Sequence, residues 1–453
     1  VTTAPTPAAA RARAAARRSW WADGLEAAMW LAAVAGVALM IASGGLQAAS
    51  ATDGVYAVGR ALGIVAAVLM MTQVLLASRA PWVERAIGHD RAIAQHTRVG
   101  KVAIILMLLH AVLLTTASGT YDGRDPVSQF LAWPQYGWFM LVAQIALGTF
   151  LIVLITSLTA VRLRWPYERW HAVHLLVYVG VAFAVPHQFL EGSTFRTGGL
   201  SWWFWAALWT LSIGSFVVYR LIRPLVLLAR HDLRVAAVAT LPDGSTSVTL
   251  EGRDLARLRA SAGQFFLWRF LSPGLRTQSH PYSLSAAPGD TLRITVKPSG
   301  TGSSAVRSLA PGTRVLIEGP LGVFTHGSRT ADHLVLICAG IGVTPVRSML
   351  EGAAPGDRIT VIMRARTRDE APLLDEVEAL AAERGADLHV LVGHRGETWG
   401  TRETPALIKD FVDDPRGADV YICGPRAWAA AVEADALAAG VPRDSVHREE
   451  FGW

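Results

Sequence analysis

The stretch Arg169–His187, RWHAVHLLVYVGVAFAVPH, decides the fold. It is apolar enough to lie in a bilayer, yet it carries imidazoles at His171, His174 and His187. An imidazole in hydrocarbon is costly unless something binds it. A second stretch, Gln95–His110 (QHTRVGKVAIILMLLH), repeats the pattern with His96 and His110. His96 and His110 are 14 residues apart, and His174 and His187 are 13 apart. At about 1.5 Å per helical residue each gap is about 20 Å. Two sites at that separation fit one above the other in a hydrocarbon core of about 30 Å. Four axial histidines on two helices would hold two haems. Bis-imidazole iron is six-coordinate, which suits electron transfer more than direct O₂ binding.

The spacing has one irregularity. Fourteen residues at about 100° each bring a side chain back to the same face, but thirteen miss it by about 140°. Pro186, just before His187, offers a kink that corrects the miss. His171 lies one turn from His174 and competes with it as the inner ligand.

The whole chain agrees with a membrane reading. It has 453 residues, 52% of them hydrophobic, and a mean hydropathy of +0.33. That is too apolar for an ordinary soluble protein and too long for one domain. Six spans can be drawn, at about 26–48, 56–78, 95–117, 137–160, 171–190 and 201–228. One side receives Arg11, Arg13, Arg17 and Arg18, then Arg79, Arg85, Arg91 and Arg98. It also receives Arg162, Arg164 and Arg169, and finally Arg220, Arg223, Arg230 and Arg234. The other side has Arg124 and Arg196, with Arg60 near a span end. The positive-inside rule puts the first set, both termini and the whole second half in the cytoplasm. Spans three and five then run outward. His96 and His174 form an inner pair, and His110 and His187 an outer pair. Trp202, Trp203, Trp205 and Trp209 begin the last span as an outer aromatic belt. The net charge of +6 is thus a topology signal, and no nucleic-acid partner is expected. The basic, Ala/Pro-rich residues 1–25 read as a disordered cytoplasmic tail. The only cysteines are Cys338 and Cys423, and there is no CxxCH attachment motif, so any haem is held non-covalently, as b-type.

Two soluble domains follow the haem-binding segment 26–230. Residues 231–328 carry the strand-like runs RVAAVAT, STSVTLEG, GQFFLWRF, TLRITVK and TRVLIEG, separated by PDG, SPG and APGD turns. They predict a small antiparallel barrel. Residues 329–453 alternate strand and helix: HLVLICAGIGVTPVRSML, RITVIMRART, a helix over about 371–383, DLHVLVG, a further helix, then DVYICGP. That pattern predicts a parallel α/β sheet.

Three motifs carry chemistry. LICAGIGVTPVRSML is a buried strand, a Gly-rich turn and a helix start. Gly340 and Gly342 let backbone approach a pyrophosphate, with Thr344 and Pro345 opening the helix. Arg364 and Arg366 follow the next strand, where a basic residue pairs with the 2′-phosphate of NADPH and an acidic one would suit NADH. NADPH is expected, with NADH the alternative. HPYSLSAAP begins with His280, Pro281, Tyr282 and Ser283; the tyrosine is placed to stack on a flavin and the serine to bond its N5. VKPSGTGSS runs from Val296 through Lys297 to Gly302, Ser303 and Ser304, which would cradle the FAD pyrophosphate at a helix start.

These motifs, in this order, make residues 231–453 resemble the ferredoxin–NADP⁺ reductase family. The resemblance implies that Cys423, in the Cys423–Gly424–Pro425 motif, lies near nicotinamide C4. It also implies that Glu449 and Phe451 match a C-terminal E-x-F motif, with Phe451 facing the flavin; Trp453 competes for that role. His280 stands where that family usually has Arg. The whole chain, six spans included, resembles the NADPH oxidase and ferric reductase transmembrane superfamily, in its bacterial branch. That superfamily commonly has His at the start of the flavin motif, and its fifth-span W-xxx-H matches Trp170 and His174, favouring His174 over His171.

The resemblance implies an oxidoreductase of the bacterial plasma membrane that uses FAD, two b-type haems and NADPH. Its electrons would pass outward to O₂, giving superoxide. Alternatively the acceptor is a ferric chelate, a quinone or a periplasmic protein. A haem-binding membrane anchor or sensor without catalysis is the remote alternative.

Overall fold

The computed structural model describes residues 7–46, 49–159, 165, 167–191 and 199–450. Phe451, Trp453, Arg162, Arg164 and Arg196 lie outside the described residues. Six described helices are long and apolar enough to cross a membrane: Asp23–Ala42, Ala51–Ala77, Arg91–Asp122, Trp138–Thr159, Arg169–Leu190 and Gly199–His231. Between 11% and 33% of each apolar window is buried inside the protein. The remaining apolar surface needs lipid to cover it.

Local chemistry sets the helix ends. Ser50 accepts from the Asp53 N–H at 3.1 Å, and Asp53 accepts from the Ser50 N–H at 2.8 Å, a reciprocal cap on the second span. Asp125 caps the short helix Pro126–Ala132 that follows the third span. The first helix begins at Pro7, so the segment expected to be a disordered tail is helical from that point. Its alanines and arginines are strong helix formers, and its proline sits at the first position, where it is tolerated.

The fifth span is broken at Leu175, between helices Tyr167–His174 and Leu176–Leu190. The correction between His174 and His187 was expected at Pro186. Pro186 instead lies inside the second, continuous helix. The interruption comes directly after His174, where the Tyr178 N–H bonds the Leu175 carbonyl at 3.1 Å in a tightened turn.

The chain divides into two compact units. One is Asp23–Ala80 with Ala92–Val218; the other is Val1–Ala22, Pro81–Arg91 and Tyr219–Trp453. The C-terminal end of the sixth span, from Tyr219, therefore belongs with the second half. A π-helical turn, Val217–Ile222, precedes its last helix, Arg223–His231. Arg220 bonds Glu318 at 2.5 Å and pins this end to the barrel.

The barrel has β1 (Arg234–Thr240), β2 (Thr246–Glu251), β3 (Phe265–Phe270), β4 (His280–Ser283), β5 (Thr291–Val296) and β6 (Val315–Leu321). Antiparallel sheets β1-β2-β5 and β4-β3-β6 are joined by the bridges Arg234↔Arg314 and Leu284↔Ile294, which close the ring. Phe266, Trp268, Phe270, Val248 and Ile294 fill it. The short β4 was not anticipated as a strand.

The last part is a five-stranded parallel sheet of β7 (His333–Ala339), β8 (Arg358–Ala365), β9 (Asp387–Val392), β10 (Ala418–Gly424) and β11 (Val446–Glu450). Its order is β11-β10-β7-β8-β9. Every residue of β7 and β10 is buried, as central strands covered on both faces require. The expected helix before β10 does not form. Only short 3₁₀ turns, Ile408–Asp410 and Pro415–Gly417, occur there. Gly393, Gly396, Gly400 and Pro405 break the helical pattern.

Candidate functional site

All four expected iron ligands fall in the first compact unit. The His96 and His174 rings face each other with centroids 6.2 Å apart. An imidazole nitrogen lies about 2 Å from a bound metal and about 1 Å from its ring centroid, so two imidazoles sharing one metal have centroids about 6 Å apart. Trp170 stacks on His174 at 5.1 Å and also touches His171 at 6.4 Å. The ring that faces His96 is that of His174. The Ser157 hydroxyl lies 3.3 Å from His174 Nδ1, leaving Nε2 for iron.

His110 and His187 line a cavity of about 330 Å³ between the spans, with Arg60, Gly63, Trp133 and Trp209. His110 Nδ1 lies 2.8 Å from the Gly59 carbonyl oxygen. A carbonyl only accepts, so Nδ1 carries the proton and Nε2 keeps its lone pair. A Cβ on Gly63 would come within 2.3 Å of His110 Nδ1, so the bare backbone makes room for the ring. The Nδ1 atoms of His96 and His187 are buried, and the backbone of Gln73 and of Ala184 interacts with the respective rings. The ring separation of His96 and His174 fits a shared haem iron, and the bare glycine wall and apolar cavity beside His110 and His187 fit a second haem. Gly59 and Gly63 went unnoticed in the sequence. The Gly-x-x-x-Gly spacing, which lets helices approach closely, was the available signal.

The flavin motif is the strand β4 itself. It pairs with β3 in the register Trp268↔His280 to Phe265↔Ser283. The Trp268 indole N–H donates to the Tyr282 carbonyl at 2.8 Å and fixes the strand. His280 and Tyr282 lie two residues apart on one face and stack at 5.6 Å. Pro281 points to the other face of β4 by alternation. The Tyr282 hydroxyl and Ser283 Oγ are buried with no hydrogen-bond partner among the described residues, and burial pushes the Tyr282 phenol pKa up. A Cβ on Gly302 would meet His280 Cε1 at 2.6 Å and Gln278 Oε1 at 2.7 Å, so the Gly-rich loop packs directly on the motif. Two orphaned hydroxyls beside this bare loop fit a flavin nucleotide. Ser303 does not offer its side chain as expected. Its Oγ accepts from the Ser299 and Gly300 N–H groups, both at 2.9 Å, and so builds the loop. Lys297 is exposed, and Ser304 is half-buried in the short helix Thr301–Ala305.

The nucleotide turn lies where the strand order reverses, between β7 and β10, where open α/β sheets bind ligands. Gly340 takes φ +55° with open space about it. Gly342 has a different role from the one expected. A Cβ there would stand 2.2 Å from the Cys423 carbonyl oxygen, so its bareness seats the turn on the end of β10. Gly424 is similarly closed by Trp428 at 2.7 Å. Thr344 Oγ1 donates to the Ile341 carbonyl at 3.0 Å, and Pro345 is buried in the helix Val343–Glu351. Pro425 caps the helix Arg426–Ala438. Cys423 is fully buried with Val343 and Cys338, and burial pushes the Cys338 thiol up to about 12. Glu449 is opposite Cys423 in register, and its Oε1 is 3.4 Å from where a Gly322 Cβ would sit, against Phe265. This brings the C-terminal strand to the start of β3 and so to the flavin strand. Arg364 Nε donates to the Gly400 carbonyl at 3.0 Å, while Arg366 is exposed at the end of β8.

Residues 62–185 match the family described as ferric reductase like transmembrane component, and residues 336–434 match the oxidoreductase NAD-binding domain. The ferredoxin reductase component of 3-ketosteroid-9-alpha-monooxygenase from Mycolicibacterium smegmatis is 31% identical over 235 residues, 49% of this chain and 65% of that protein. Ferredoxin–NADP reductase B of Sorangium cellulosum is 29% identical over 240 residues, 49% of this chain and 97% of that protein. A flavohemoprotein of Xylella fastidiosa is 31% identical over 202 residues, 42% of this chain and 51% of that protein. The match thus spans about two thirds of the first relative and half of the third. The chain thus joins a segment that matches a ferric reductase-like transmembrane component to a half that matches an oxidoreductase NAD-binding domain and is similar to ferredoxin reductase-type flavoproteins.

Proposed function

We propose that the protein carries electrons from cytoplasmic NADPH across the bilayer to O₂ on the outer side, giving superoxide. The carrying observation is the paired His96 and His174 rings, with His110 and His187 lining one cavity on the same two spans, in one chain with a flavoprotein-like half. Bound FAD and two b-type haems supply the redox chemistry, flavin converting a two-electron donor into the single electrons that haem carries. His96 with His174, and His110 with His187, hold the iron, and Ser157 and the Gly59 carbonyl orient two of the rings. Tyr282 and Ser283 orient the flavin. The turn at Gly340–Pro345 seats the dinucleotide, and Arg364 and Arg366 favour its 2′-phosphate; NADH is the weaker donor. The overall balance is one NADPH oxidised and two O₂ reduced.

The domain limits follow this reading: a cytoplasmic tail over 1–25, helical from Pro7, a haem-binding segment over 26–230, an FAD-binding barrel over 231–328 and a nucleotide domain over 329–453. The arginine distribution supports a bacterial plasma-membrane location with both termini in the cytoplasm. The outer connections carry Tyr121, Arg124, Trp133 and Glu191, a surface suited to a small diffusing acceptor.

The test is NADPH consumption by purified protein loaded with haem and FAD, in air and under argon, with cytochrome c reduction followed with and without superoxide dismutase. Turnover that needs O₂, with a dismutase-sensitive signal, is expected. NADPH-reduced haem that air barely reoxidises would transfer the reading to a ferric chelate, quinone or periplasmic protein as acceptor.

A further inference from the structure

Three consecutive residues leave the flavin strand and are seized by one helix. The Ser285 carbonyl accepts from Arg347 Nη1 at 3.0 Å, and the Ala286 carbonyl from Ser348 Oγ at 2.8 Å. The Ala287 N–H donates to Glu351 Oε2 at 2.5 Å. Arg347, Ser348 and Glu351 belong to the helix Val343–Glu351, which opens at the nucleotide turn. Arg347 is 7% exposed and also bonds Glu351 at 2.7 Å and Glu376 at 2.6 Å. Glu376 reaches back to Arg293 of β5 at 2.7 Å, and Arg293 closes the loop on the Ser285 carbonyl at 2.9 Å. Two buried or half-buried arginines and two glutamates thus join the segment just after Ser283 to the helix just after Gly342. Other contacts cross the same seam: the Gly263 N–H donates to Ser348 Oγ at 3.3 Å, His326 Nε2 lies 2.8 Å from the Met349 carbonyl, and Phe324 packs in the nucleotide core, but the Arg347 network is the one that grips the segment following the flavin strand.

We propose that Arg347, held by Glu376 and Glu351, is a positioning residue for hydride transfer, fixing the nucleotide turn at a set distance from the flavin strand. This rests on the reading that the chain passes a hydride from NAD(P)H to flavin. In that step the C4–H bond of the nicotinamide breaks with its electron pair and an N–H bond forms at flavin N5. The dinucleotide is oxidised and the flavin reduced. Arg347 acts through the Ser285 carbonyl, and a small displacement of one half against the other lengthens the transfer distance. Such displacements cost rate steeply, about 10- to 100-fold for about 1 Å.

The experiment uses the full-length protein in nanodiscs and the variants Arg347→Lys and Glu376→Gln. Arg329→Lys is the control. Arg329 is 6% exposed and pairs with Asp357 at 2.8 Å inside the nucleotide half, so it tests a buried pair that bridges nothing. Three readouts are taken: the rate of flavin bleaching by NADPH in stopped flow, the deuterium isotope effect with C4-deuterated NADPH, and amide exchange over residues 284–288 without cofactors. Arg347→Lys and Glu376→Gln should slow bleaching about 10-fold or more and raise the isotope effect. FAD and NADP⁺ dissociation constants should change less than about threefold, and exchange at residues 284–288 should rise. Arg329→Lys should leave bleaching unchanged. Wild-type bleaching rates in both bridging variants would overturn the proposal and leave the hydride reading intact. Loss of rate that merely follows loss of FAD or NADP⁺ binding would also overturn it. A wild-type protein whose flavin NADPH does not bleach would overturn both.

Discussion

A single missing methyl group at Gly63 bears on the outer site. A Cβ there would stand 2.3 Å from His110 Nδ1, closer than any real contact. In Gly63→Ala the ring must turn away and lose the Gly59 carbonyl that fixes its tautomer. One of the two haems should be lost and the other kept, as read by pyridine haemochrome content per chain. Glu376 sets a pH limit. Burial alone raises its pKa, but hydrogen bonds and charge from Arg293 and Arg347 outweigh burial and hold it below the ordinary glutamate value. A carboxyl depressed in the folded state stabilises fully above the unfolded value, about 4.3, and loses that contribution as pH falls through the folded value. Exchange protection over residues 284–288 should therefore decline below about pH 4 in the wild type. In Glu376→Gln it should already be low and flat with pH.

At the scale of elements, the break at Leu175 sets the phase of the fifth span. Inserting one alanine after Gly180 turns His187 by about 100° relative to His174. The insertion should cost the outer haem alone, seen as a halved haemochrome signal with the His96–His174 spectrum retained. The break itself was not legible in the sequence, because Leu175 is neither Gly nor Pro, and the visible breaker, Pro186, is accommodated inside a helix. The six spans, the barrel and the parallel sheet were legible because each repeats a strong hydrophobic period. Strand β4 was not, because HPYS is four residues long and includes a proline. Strand β11, VHREE, is polar on an edge and shows no apolar alternation. The histidine quartet was legible because imidazoles in hydrocarbon need a reason. The Arg347 network was not, because its members are ordinary charged residues from separate segments, and only the fold collects them.

At the scale of the whole molecule, the arginine distribution makes a topological prediction. Green fluorescent protein fused at either terminus should fluoresce, and alkaline phosphatase fused after Arg124 should be active. The reverse pattern would invert the membrane orientation and put the flavin half outside. The seizure of residues 285–287 by a helix that starts at Val343 also bears on ancestry and on engineering. Exchanging either half breaks these bonds unless the incoming half supplies their partners. A recombinant that imports a foreign nucleotide half at the obvious linker near residue 328 severs partners chosen for one another. Only donors that carry matching side chains at the positions of Arg347, Ser348, Glu351 and Glu376 are compatible parents.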